Sequence, residues 1–103
     1  MKRPVRAMAT LLAKDGCRVR AEFYGGDVYF HCRFQKWSVR ALKTLDAAVP
    51  KMDRLMADIG FRYLRLFIPV GRARLYRFCE RFGFREERRN NDWIFMQREV
   101  PHA

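Results

Sequence analysis

The sequence predicts an α/β domain, a mixed β-sheet with helices packed across it, from two changes of pattern. Apolar side chains recur at every second residue between positions 17 and 34, then every three or four residues after Ser38. Strand-like and helix-like stretches go on alternating to residue 98, the order expected when helices connect strands of one sheet. A chain of 103 residues has the length for one core, so residues 1–103 are read as a single domain.

Residues 5–14 fit either a strand or a short helix. In CRVRAEFY, Cys17, Val19, Ala21 and Phe23 alternate with Arg18, Arg20, Glu22 and Tyr24, which marks a strand with one apolar face. Gly25, Gly26 and Asp27 supply a turn, and Val28, Phe30, Cys32 and Phe34 then continue the period of two, completing a hairpin. Ser38 has the side chain to cap a helix whose stripe is Leu42, Leu45, Val49, Met52, Met56 and Ile59. Pro50 predicts a kink or two abutting helices within that stretch, and Gly60 ends it. FRYLRLFI (61–68) reads as a strand closed by Pro69 and Gly71. A second amphipathic helix is expected over 72–82, with Leu75, Phe78, Cys79 and Phe82 on one face and Gly83 as its stop. FREERR and WIFMQRE form two last strands around Asn90, Asn91 and Asp92. Trp93 is expected in the core, and Trp37, beside the first helix, is read as a packing or contact residue.

Charge narrows the function classes without choosing among them. The chain has 22 Lys plus Arg against 11 Asp plus Glu, a formal net charge of +11. An acidic partner is therefore favoured, whether an acidic protein surface, a nucleic acid or a polyanionic cofactor. Aromatic residues at 15% place the chain well away from disordered basic tails. Three widely spaced cysteines, Cys17, Cys32 and Cys79, form no CxxC pattern and cannot all pair internally, which points to a reducing, cytoplasmic setting and to no metal. Arg6, Lys14 and Asp15 interrupt the apolar start, so neither a signal peptide nor a membrane span is expected.

The stretch LYRFCERFGFREE, within the strand and helix order from Gly60 to Glu87, resembles the closing portion of the GNAT acyltransferase family. The resemblance covers roughly residues 17–98, and residues 1–16 are too few to supply that family's whole opening portion. It implies a shortened GNAT-like fold and, for an active member, acetyl-CoA-dependent N-acetyl transfer. The family's pyrophosphate turn would fall on QKWSVR, with Gln35, Lys36, Ser38 and Arg40 as the cofactor-binding positions. Ser38 and Arg40 stand there in place of small residues that let phosphate approach the backbone. Cys79 stands where the resemblance places a tyrosine that protonates the departing thiolate, and Arg72 where an asparagine is common. A thiol donates a proton only with suitable pKa and access, and the apolar face of Cys79 also suits a core residue. Glu22 and His31, on the polar faces of the hairpin strands, are the remaining candidates for a general base.

Two successive requirements of acetyl transfer are altered, so the expected function is binding rather than turnover. The chain reads as a non-catalytic or weakly catalytic GNAT-like protein that holds a host or viral macromolecule through a basic surface. Arg72, Arg74, Arg77 and Arg81, together with Trp37, form the expected partner face, and an acidic protein is the first partner. No cofactor is expected under that reading, and acetyl-CoA is the cofactor of the alternative. Aromatics interleaved with arginines in FRYLRLFIPVGRARLYRF also suit nucleic acid, with Tyr63 or Tyr76 stacking on a base. Shortened members of the family resemble proteins carried by tailed bacteriophages, which implies a viral source and action in the host cytoplasm. The missing opening portion leaves a sheet edge that a second copy can cover as a homodimer.

Overall fold

The structure, a computed structural model, describes residues 6–101. Six strands and two helices follow in the order β1 (Arg6–Lys14), β2 (Cys17–Tyr24), β3 (Asp27–Phe34), α1 (Val39–Ile59), β4 (Tyr63–Pro69), α2 (Ala73–Arg81), β5 (Arg85–Arg89) and β6 (Trp93–Glu99). They form one sheet in the order β1-β2-β3-β4-β6-β5. All neighbours are antiparallel except β3 and β4, which run parallel and meet only where Tyr29 faces Arg65. Two antiparallel halves therefore join through one short parallel contact, and beyond it the C-terminal ends of β3 and β4 part.

The hairpin forms as its alternation requires, with Val19 opposite Cys32 and Ala21 opposite Phe30. Residue 5 of the ambiguous opening segment 5–14 lies outside the described residues, and Arg6–Lys14 is a strand. Its register shifts between Thr10 and Leu12, and this bulge puts Leu11 and Leu12 side by side against the core. Helix α1 runs through Pro50 as one element rather than two, held by Leu45 and Met52 buried on either side of the proline. Ser38 caps it, its Oγ accepting from the Ala41 N–H at 3.0 Å. Ile59, placed on the apolar stripe by spacing alone, is 54% exposed, because Met56 and Ala57 take the inward positions of the last turn.

Both helices pack on the same face of the sheet. Leu45, Met52 and Met56 of α1 and Cys79 of α2 meet Val19, Val28, Leu64, Ile68 and Met96 there. The stretch FCERFGF is the closing device of α2. The Gly83 N–H donates to Glu80 O at 2.9 Å and the Phe84 N–H to Cys79 O at 3.2 Å, the paired bonds that end a helix through a left-handed residue. Gly83 has φ +90°, and a Cβ on it would lie 3.1 Å from Arg98 Cδ. Phe84 is thereby turned into the core beside Cys79.

Candidate functional site

The parting of β3 and β4 opens a cleft with a cavity of about 240 Å³, lined by Phe30, His31 and Cys32 of β3, Leu66, Phe67 and Ile68 of β4, and Leu75, Phe78 and Cys79 of α2. It is small beside ligand pockets, which usually enclose roughly 300–1,000 Å³. Trp37 stands at its edge, 59% exposed, stacked on Phe34 at 4.3 Å and edge-on to Phe78 at 5.2 Å. The indole thus has both a packing role and an outward surface.

Two of the candidate catalytic residues meet. Glu22 and His31 are diagonal neighbours on β2 and β3, and His31 Nε2 donates to Glu22 Oε1 at 3.0 Å. The carboxylate orients the ring and leaves Nδ1 as the second polar position, while the ring lies edge-on to Phe67 at 5.8 Å across the cleft. A histidine held this way can accept a proton from a nucleophile in the cleft. Cys79 lines the same cavity from the buried side of α2, and burial pushes its thiol up to about 11. Cys32 opens onto the cavity yet has protein around its sulfur, and burial followed by the neighbouring Cys17 pushes it to about 12. Both shifts favour the protonated thiols near neutral pH. No group of three or more His, Cys, Asp or Glu among the described residues is placed to hold a metal ion.

The positions expected at a pyrophosphate turn lie at the start of α1, and each is engaged differently. The Gln35 N–H donates to Gly16 O at 2.8 Å, tying the turn to the β1–β2 connection. Ser38 uses its hydroxyl on the helix it caps. Arg40 lies 3.6 Å from Asp15 Oδ1, and Thr44 Oγ1 donates to Asp15 Oδ2 at 2.6 Å, so a carboxylate from the chain itself sits against the first turns of α1. Lys36 is exposed. Sequence spacing had no means of bringing Asp15 to this helix.

Strand direction gathers the basic residues at one pole. Lys14 pairs with Cys17, Arg18 with Arg33, and the parallel β3 and β4 end on the same side, where α1 and α2 begin. Lys14, Arg18, Arg33, Lys36, Arg40 and Arg72 consequently lie toward the end of the sheet at which β3 and β4 part, with Asp15 and Asp92 as acids at that end among the described residues. On α2, Arg74 and Arg77 are exposed and make no ion pair among the described residues, whereas Arg81 lies 3.4 Å from Asp46 Oδ2. A shallow groove between β1 and α1, edged by Lys14, Arg40, Lys43 and Lys51, extends the same charge. Lys43 and Lys51 escaped the sequence reading, although both fall on the polar side of the α1 stripe.

A different arrangement occupies the other sheet face, where no helix packs among the described residues. Phe67 is 38% exposed there and Trp93 39%, so Trp93 belongs to a surface rather than to the core. Both faces of β4 and β6 carry large apolar side chains, and alternation alone does not tell which one a helix covers. No helix among the described residues is long and apolar enough to cross a membrane. No protein-family model matches the chain, and no curated protein matches it significantly.

Proposed function

We propose that the chain is a shortened GNAT-like protein in which binding of an acidic macromolecule has replaced acetyl transfer, with the basic pole as the binding surface. The observation that carries this reading is the gathering of Lys14, Arg18, Arg33, Lys36 and Arg72, none in an ion pair among the described residues, at one end of the sheet, when Arg40 there is held by Asp15 and Arg65, Arg81, Arg89 and Arg98 are each held by a carboxylate. Unpaired, exposed arginines have no intramolecular role to lose and bring a field that draws a polyanion. Arg72, Arg74 and Arg77 form the part of the pole carried by α2; Arg81, already engaged with Asp46, contributes less.

Polyglutamate serves as a probe for an acidic protein surface. Replacing Arg72, Arg74 and Arg77 together by glutamate should weaken its binding by tenfold or more at low salt, about 1.4 kcal/mol, with the difference shrinking as salt screens the charges. Equal binding by the triple variant would remove α2 from the surface.

Acetyl transfer is the second reading, and the Glu22–His31 bond at the cleft is the observation in its favour. Against it stand the Ser38 hydroxyl and the Asp15 carboxylate at the start of α1, where a pyrophosphate would need free donors, and the raised pKa of the Cys79 thiol. Thiol release from acetyl-CoA that His31→Ala abolishes would restore this reading.

A further inference from the structure

The uncovered face of the sheet is organised around one ring. Phe67, in the middle of β4, has Trp93 at 5.3 Å, His31 at 5.8 Å, Phe95 at 6.0 Å and Tyr29 at 6.3 Å, all from strands on either side of it. These five rings form a contiguous strip across β3, β4 and β6, bridging the short parallel contact and reaching the cleft. Phe67 and Trp93 are exposed, and an exposed aromatic patch of this kind marks a surface that takes a partner.

The charges beside the strip say which partner. Strand alternation puts Arg18, Arg20 and Arg33 on this same face, since Arg18 is paired with Arg33 and Arg20 with His31. On the far side the Arg88 guanidinium lies 3.9 Å from the centre of the Phe95 ring. The acids here are largely engaged: Glu22 with His31, and Asp27 and Glu87 with Arg65. Stacking surface in the middle, arginines at the flanks with no ion pair among the described residues and continuity with the basic pole are complementary to a ligand with flat apolar faces on an anionic backbone. A second copy would bring the same arginines and a net charge of +11 against them.

We infer that this open sheet face is a stacking platform for single-stranded nucleic acid, with bases on Phe67 and its neighbouring rings and phosphates on Arg18, Arg20, Arg33 and Arg88. The inference rests on the proposed polyanion-binding function and names the class of macromolecule. A duplex keeps its base faces stacked on one another, so it gains only the charge contacts. Base edges are not read by rings, so the platform takes many sequences.

Fluorescence anisotropy with a labelled oligothymidine of about twelve nucleotides, a length within the usual range for such surfaces, tests it. The duplex of equal length and polyglutamate are the comparators. Phe67→Ala and the bulk-preserving Phe67→Leu should each weaken oligothymidine binding by about tenfold or more, equivalent to about 1.4 kcal/mol, and leave polyglutamate binding within twofold. Phe67→Leu, checked for native circular dichroism, keeps the result readable if the alanine variant does not fold. Unchanged oligothymidine affinity in Phe67→Leu, or duplex bound as tightly as single strand, would overturn the platform; intact polyglutamate binding would then leave the basic pole standing. A dimer in light scattering that Phe67→Leu dissolves would assign the face to a second copy and also overturn it. Failure of wild-type protein to bind either polyanion would overturn both readings.

Discussion

Cys79 shares the larger core cluster with Phe84, and the burial that makes it a packing residue also raises its thiol from 9.0 to about 11. The unfolded chain loses this proton near pH 9.0 while the native protein keeps it to about 11, so the native state is favoured fully below pH 9.0 and loses that advantage as pH climbs to 11. Urea midpoints should therefore fall across this window. Cys79→Ala should flatten the fall, by an amount equivalent to about 1–3 kcal/mol. A different logic governs Asp53, which is 8% exposed and paired with Arg98, whose Nε has no hydrogen-bond partner among the described residues. Asp53→Ala leaves a buried guanidinium without its counter-charge and should cost about 3–5 kcal/mol in denaturant unfolding. The double variant Asp53→Leu with Arg98→Met, which removes both charges, should lose much less.

The two helices start differently, and the difference links stability to function. Ser38 satisfies an N–H of α1, and Ser38→Ala should cost about 1 kcal/mol. Arg72 precedes α2 with no side-chain cap bond. Arg72→Asp should raise stability by about 0.5–1 kcal/mol while weakening polyglutamate binding, since it gains a cap and removes a cation from the pole. Thermal unfolding and anisotropy on the same variant separate the two effects. What the sequence shows plainly at this scale is local: the period of two in β2 and β3, the Ser38 cap and the glycine stops at Gly60 and Gly83 depend on neighbours along the chain. The bulge in β1 hid that strand by placing two leucines in succession, and Pro50, which left open a kink or two abutting helices, lies inside one continuous helix. Asp15 against α1 and the Glu22–His31 diagonal arise from tertiary register, which spacing does not encode. Trp93 was misplaced for a similar reason, since which sheet face stays open depends on where both helices go.

Across the whole molecule, helices on one face of a mixed sheet leave three surfaces of unlike chemistry: a basic pole, a narrow cleft between parting strands and an aromatic sheet face. The pole collects its charge from segments far apart in sequence because β1, β3 and β4 end there and both helices begin there. Net charge supplies attraction at a distance, so association should slow steeply as salt rises. The cleft is where binding and acetyl transfer part company. The cleft encloses a cavity of about 240 Å³, and at the start of α1 the Ser38 hydroxyl and the Asp15 carboxylate are already engaged with the chain itself. Isothermal titration with acetyl-CoA under reducing conditions decides between them most directly. The expected result is no binding tighter than roughly 100 μM, about −5.5 kcal/mol. Stoichiometric binding well below that concentration, followed by thiol release that His31→Ala abolishes, would contradict it.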